Sequence, residues 1–417
     1  MEIDLQVGEN QITGHCDPKF QPVLDSFIDN FETKDELGAS VSLNIEGEST
    51  VNLWGGFVKP LKGTDERDDY RWNEDTLSVV FSCTKAATAL CAHILIDQGK
   101  LNLHEKVSTY WPEFAANGKQ DVTVEMILNH TAGLPALREP VKESGYLDWD
   151  YMVDRLANEA PFWEPGTRSG YHMTTYGWTV GELVKRVSGH SLGDFFQLMV
   201  AQPLGIEFWI GLPDEQHHRV SRMKQWVARS KAKLTPFTHK LLHDQKSIQF
   251  LALLNTGRHK TDSSESYRAE YGAGGGITNA RNLAKMYTPL ANMGLSHHHR
   301  LISNDQIHMM SKTSVATMRD ATLLMPTRFS LGFMRSMDNR HRETGDMESC
   351  ILGKDAFGHA GAGGSIGFAD PEERLSFAYT MNRMGAGILL NERSQNLVDA
   401  TYCSLGYSSN KSGMWLK

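Results

Sequence analysis

With 417 residues, 40% of them hydrophobic and 22% charged, the chain can bury a sizeable core as one large or two intimate domains, which sets disorder aside. Its 42 basic and 50 acidic residues leave a formal net charge of −8, which offers no electrostatic footprint for nucleic acid or an anionic membrane. No stretch reaches the roughly 20 apolar residues that span a bilayer, and the acidic start MEIDLQVGEN does not resemble a secretory leader, so a cytoplasmic protein without nucleic-acid or membrane partners is expected.

Phe20, Val23, Leu24, Phe27, Ile28 and Phe31 recur at helical spacing and predict an amphipathic helix. Val41, Leu43 and Ile45, then Val51 and Leu53, alternate with polar residues around Glu46-Gly47, which predicts a hairpin. Ser82 to Gly99 (SCTKAATALCAHILIDQG) reads as a long Ala-rich helix stopped by Gly99. From there to about residue 260 the pattern is mostly helix and loop, with helices expected over 123–129 and 174–187. Arg219 to Lys240 holds seven basic residues and no acidic one; it reads as a solvated helix face, or as a cap over a substrate mouth. Strands return after about residue 265, at 357–362, 365–369 and 375–380. A terminal helix is expected over 391–402, and a polar, frayed tail after Tyr407.

Strands at both ends and helices between them imply an α+β fold: one antiparallel sheet built from both termini, with a helical domain inserted. The expected division is 1–85 with 265–417 for the sheet domain and 86–264 for the helical one, with an active site between them. The five cysteines, Cys16, Cys83, Cys91, Cys350 and Cys403, are odd in number and irregular in spacing, which argues against a disulfide framework or a structural zinc. His297, His298 and His299 are adjacent and point apart, so no metal is expected, and nothing calls for a cofactor.

The chemistry-bearing signal is S-x-x-K, which puts a serine and a lysine on one helix face about 5–6 Å apart at Cβ. An amine kept neutral by burial can then take the hydroxyl proton. The pattern occurs at Ser82/Lys85, Ser221/Lys224, Ser230/Lys233 and Ser408/Lys411, so context must choose. Only Ser82 follows an apolar run (Leu77, Val79, Val80, Phe81) and opens an apolar helix, whose N-terminal amides and dipole favour an oxyanion. The competing motif Gly363-Gly364-Ser365-Ile366-Gly367 matches the G-x-S-x-G elbow. That elbow needs a following helix and a later histidine. A strand pattern follows Ser365, and no histidine follows His359.

In order along the chain, SCTK (82–85), LNHTAGLP (128–135), EPGTRSGYHMTTYGWTVGELV (164–184), GAGGGITNARNLAKMY (272–287) and GHAGAGGSIGFADP (358–371) resemble the serine β-lactamase/penicillin-binding-protein group, specifically the class C β-lactamase-like carboxylesterases of family VIII. The resemblance runs from about residue 20 to 405. It implies a serine β-lactamase/DD-peptidase-like fold and a small-molecule ester as substrate. It further implies Ser82 as nucleophile, with Lys85 and Tyr171 sharing its proton. It assigns His359 to Tyr171 or the substrate, and the Ser82 and Ala362 amides to the oxyanion hole, with Gly361 in the same substrate-binding stretch. Two departures stand out. Tyr171-His172-Met173 replaces the lactamases' Tyr-x-Asn, and His359 replaces a lysine that would meet a substrate carboxylate. Both shift the expectation toward short-chain neutral esters, with β-lactamase, D-aminopeptidase/DD-peptidase-like or acyltransferase activity as the alternative. A catalytically idle relative would have lost Ser82, Lys85 or Tyr171; all three are present.

Overall fold

The computed structural model describes residues 1–59, 70–227, 234–296, 299–343 and 347–417. Ser230/Lys233, His297, His298 and the centre of the basic 219–240 stretch lie outside the described residues.

The chain opens with β1 (Glu2–Val7) and β2 (Asn10–Cys16), a hairpin that the alternation search missed. Helix α1 (Gln21–Thr33) follows, then β3 (Gly38–Ile45) and β4 (Glu48–Gly56), the hairpin expected from sequence. Helix α2 (Thr84–Asp97) begins inside the SCTK motif, and α3 (Ala280–Ala291) carries the second half of the fourth motif. The last strands are β5 (Phe357–Ala360), β6 (Ile366–Asp370) and β7 (Leu375–Met381), before the terminal helix α4 (Glu392–Ser404).

These strands form one antiparallel sheet in the order β1-β2-β4-β3-β7-β6-β5. Sheet centre and chain termini therefore coincide: Val41 pairs with Tyr379 and Leu43 with Phe377, joining residues more than 330 positions apart. The two-residue side-chain period sorts the faces. Val41, Leu43, Phe377 and Tyr379 enter the same apolar core as Phe20 and Phe27 before and within α1 and Leu397 and Val398 of α4. Small and polar neighbours take the other face, where Ser376 Oγ meets Thr288 Oγ1 of α3 at 2.9 Å. Their small volume lets α3 approach the sheet closely.

Helix α2 is buried all round from Thr84 to Leu95. That is why its sequence lacks a polar face. It packs among the helices of the central region, including Tyr176–Ser188, in the second large core. A small sheet of Ser78–Val79, Gly276–Thr278 and Trp209–Ile210 fixes the strand that leads into α2.

Two expectations need correction. The tail is not frayed: Trp415 stacks on Tyr402 at 5.9 Å, and its Nε1 donates to Asp399 at 3.0 Å. Nor does Ser221 lie solvated on a helix face. It is fully buried on extended chain, where a residue three positions on does not share its side.

Candidate active site

Ser82 lies in the 3-10 turn Phe81–Cys83 that feeds directly into α2. Phe81 holds φ at +46°, a left-handed conformation that a phenylalanine adopts only under constraint. Thr84 supplies the clamp. Its hydroxyl donates to the Phe81 carbonyl at 2.5 Å and accepts from the Gly276 amide at 2.8 Å. The Val80 amide donates to the Gly276 carbonyl at 3.0 Å, so the turn is tied to the small sheet from both sides.

Lys85, the next turn along, is fully buried. Its Nζ lies 3.1 Å from Ser82 Oγ and donates to the carbonyls of Met173 at 2.7 Å and Ala273 at 2.8 Å. Among the described residues no carboxylate pairs with it. Burial therefore drives its pKa well below that of a free lysine.

Tyr171 is equally buried, its ring stacked 5.7 Å from Phe329 and 4.9 Å from Lys85 Nζ. Among the described residues its hydroxyl has no hydrogen-bond partner, though Ser82 is near enough to oppose part of the upward shift that burial imposes. The structure thus brings Ser82, Lys85 and Tyr171 together.

The second motif explains the placement of the third. Gly170 donates its amide to the His130 carbonyl at 3.1 Å, and the His172 amide donates to His130 Nδ1 at 3.2 Å. The His172 ring is held between the Gly170 carbonyl on Nδ1 (2.7 Å) and the Leu134 amide on Nε2 (2.9 Å). His172 is thereby the Nδ1–H tautomer and part of the scaffold. Burial lowers its pKa to about 4.

On the far side, β5 and the turn that follows it deliver His359, Gly361 and Ala362. Cys83, a buried free thiol, donates through Sγ to the His359 carbonyl at 3.1 Å and ties the nucleophile turn to β5. His359 donates through Nδ1 to the Ala360 carbonyl at 2.7 Å, so its buried Nε2 is a bare acceptor without a partner among the described residues. Its ring is 6.0 Å from that of Tyr171. No His359–Tyr171 hydrogen bond is formed. Burial, reinforced by Lys85, lowers its pKa to about 3. Gly361 passes so close to the turn that a Cβ there would lie 2.3 Å from the Val80 carbonyl oxygen. The amides of Ser82 and Ala362 donate no hydrogen bond among the described residues. Ser365 is fully buried in the β5–β6 connection, with no helix after it, which removes the elbow reading.

Sequence reasoning missed the two backbone carbonyls on Lys85, of Met173 and Ala273, because a carbonyl leaves no residue-type signature. It also missed Thr84, which hides as an ordinary helix-opening threonine. Among the described residues no three His, Cys, Asp or Glu side chains gather to hold a metal. No helix there is long and apolar enough to cross a membrane.

The sequence model of the family described as Beta-lactamase matches residues 24–400. The chain is similar to the protein named Esterase/beta-lactamase LipL of Mycobacterium tuberculosis, 31% identical over 390 residues, 92% of this chain and 86% of that one. A solved family VIII carboxylesterase shares 36% identity at a TM-score of 0.81, over 94% of this chain and 99% of the other. A penicillin-binding protein homologue from Caulobacter crescentus matches at 34% identity and a TM-score of 0.81, over 94% and 99% of the two chains.

Proposed function

The chain belongs to the beta-lactamase family and has its α+β fold, and from that premise we propose that it is a serine hydrolase that cleaves short-chain carboxylic esters through an acyl-enzyme on Ser82. The solved carboxylesterase and the relative with esterase in its name support the choice of an ester.

The observation that carries the mechanism is the hydrogen-bond arithmetic of Lys85. A neutral amine has two N–H groups and one lone pair. The Met173 and Ala273 carbonyls can only accept and use both N–H groups. The lone pair is left for the Ser82 hydroxyl, 3.1 Å away. Lys85 is then the base that takes the Ser82 proton as Oγ bonds to the ester carbon. The carbonyl oxygen, now an oxyanion, turns to the free amides of Ser82 and Ala362. As the intermediate collapses, Tyr171 gives its phenol proton to the leaving alkoxide and is reprotonated from Lys85. Water then attacks the acyl-enzyme and the transfers repeat in reverse, so ester and water yield acid and alcohol.

Met173 and His359 bias the site toward esters. A thioether does not pair with a substrate amide, and an unpaired buried amide costs about 1–3 kcal/mol. A neutral imidazole presenting a lone pair offers nothing to a lactam carboxylate. A second reading, lactam hydrolysis on the same serine, draws on the double name of the Mycobacterium relative.

The test is kcat/KM for p-nitrophenyl butyrate against a chromogenic cephalosporin, together with fluorophosphonate labelling and peptide mapping. The ester should be preferred and the label should fall on Ser82. A preferred cephalosporin promotes the second reading, and label on Ser365 sinks the assignment of the nucleophile.

A further inference from the structure

Asp320 is completely buried, and among the described residues no cation pairs with it. Every group that its carboxylate meets is a donor. The Tyr171 amide lies 3.0 and 3.1 Å from its two oxygens. The Thr322 and Leu323 amides reach Oδ1 at 2.9 Å each, and the Thr327 hydroxyl reaches Oδ2 at 3.3 Å. Three N–H groups and one O–H fill the acceptor sites of an ionised carboxylate. A protonated carboxyl would bring an O–H of its own with no acceptor to receive it. Burial raises the Asp320 carboxyl overall, and these donors offset part of the rise. The donor set is that of an anion.

Tyr171 depends on this anion for its place. Among the described residues Asp320 is the one partner of the Tyr171 amide, and it anchors that amide to a loop 149 residues further along the chain. The loop is itself fixed. Gln249 Nε2 donates to the Ala321 and Thr322 carbonyls at 3.0 and 2.6 Å, and the Ala321 amide donates to Ser169 at 2.9 Å.

Among the described residues the other titratable groups near Tyr171 are Lys85, His130, His359, Cys83 and the phenols of Tyr176 and Tyr271, both of which burial raises. Burial favours the uncharged form of each. With Lys85 as the amine, Asp320 is the formal charge left near the phenol, and a negative charge opposes formation of a tyrosinate.

We propose that Asp320 is the positioning residue for Tyr171: its buried carboxylate holds the tyrosine backbone in register with Ser82 and Lys85, and its charge keeps the phenol as an O–H donor to the leaving alkoxide. This rests on the proposed role of Tyr171 in the reaction.

The experiment measures pH profiles of kcat for p-nitrophenyl butyrate, corrected for spontaneous hydrolysis, on wild type, Asp320→Asn, Thr327→Val and Tyr171→Phe. Wild type should show no descending limb up to about pH 10, where a free tyrosine ionises. Asp320→Asn keeps an acceptor oxygen but loses the charge. It should lower kcat by roughly 10- to 100-fold and bring a descending limb into range, while fluorophosphonate still labels Ser82. Thr327→Val removes a donor but keeps the charge, so it should lower Tm without introducing that limb. Asp320→Asn with a lower Tm and a wild-type profile overturns the proposal, as does a wild-type limb below about pH 9 that Tyr171→Phe abolishes. The wild-type measurement stands even if Asp320→Asn fails to fold. Full activity in Tyr171→Phe would instead remove the tyrosine from the mechanism, a distinguishable failure.

Discussion

Gly361→Ala tests whether the close passage of the chain just after β5 over the nucleophile turn assembles the site. The new Cβ would lie 2.3 Å from the Val80 carbonyl oxygen and 3.3 Å from Cys83 Sγ. An ordinary carbon–oxygen contact is about 3.3 Å, so strand and turn must separate by about 1 Å. Val80 is backbone tied to Gly276, and the turn after it is already constrained at Phe81, so neither side yields freely. The separation falls between the amides of Ser82 and Ala362, whose mutual placement an oxyanion site depends on. A misplacement of that size costs about 100-fold in rate, and overpacking costs about 1–3 kcal/mol of stability. Gly99→Ala is the control. It has φ +68° and no atom within 4 Å of the added Cβ, so it carries about 1–2 kcal/mol of left-handed strain with no consequence at the site. The assay is kcat/KM on p-nitrophenyl butyrate beside Tm and the rate of fluorophosphonate labelling. Both variants should lose Tm and only Gly361→Ala should lose rate. A folded Gly361→Ala within about two-fold of wild type, a free-energy change below 1 kcal/mol, would refute the reasoning.

Lys85→Met should abolish turnover yet leave the protein as stable or more stable at pH 7, because a buried lysine held neutral is costly. Its folded pKa lies well below 10.5, so in that window the unfolded chain binds one more proton and wild-type stability rises with pH. Urea midpoints at pH 7 and 9 should therefore converge between wild type and Lys85→Met; a Met variant that is much weaker at pH 7 contradicts this. Burial lowers His93 and His172 to about 4 and His359 to about 3, and moves His130 the same way. Unfolded histidines titrate near 6.5, so stability should fall below that pH, by about 2 kcal/mol for each of the first three at pH 5. Asp370, raised to about 6 by burial, opposes part of this. A urea midpoint unchanged between pH 7 and 5 would count against the histidine account. Glu36→Ala leaves Arg393, its buried partner at 2.6 Å, and the Tyr379 hydroxyl uncompensated. It should cost about 3–5 kcal/mol without changing kcat/KM in the folded fraction.

Legibility in the sequence followed from how each feature is encoded. The hairpin of β3 and β4 and the helix α2 stood out because side-chain period and Ala-rich composition record burial directly. Ser82 could be chosen from four S-x-x-K pairs because only its neighbours are apolar. The β1–β2 hairpin escaped because β1 is an edge strand, where only Ile3 and Val7 are buried. The tail was misread because, beside the Trp415 ring on Tyr402, its docking is made by polar and backbone contacts (Arg340 to Asn410, Ser336 to the Gly413 carbonyl, Lys417 to Glu373) that leave no periodic apolar pattern. Tyr171 came from the family resemblance. Its environment gives no local signal, since its ring partner Phe329 and its anchor Asp320 come from some 150 residues later.

The motifs are joined mostly through backbone, and that bears on why the departure at residue 173 is tolerated. LNHTAGLP grips the Tyr171 segment through the His130 carbonyl and the Leu134 amide, and GAGGG contributes the Ala273 carbonyl to Lys85. Met173 also contributes a carbonyl, which any residue could supply. His172 spends both ring nitrogens on the scaffold. The hydrogen bonds that this segment gives Lys85 are therefore independent of the side chain at 173. A site built this way can exchange an amide-holding asparagine for methionine and change what it binds without disturbing the group proposed to activate Ser82. On the proposed mechanism, the Met173 side chain bears on substrate range and its carbonyl on proton transfer, two roles held by different atoms of one residue.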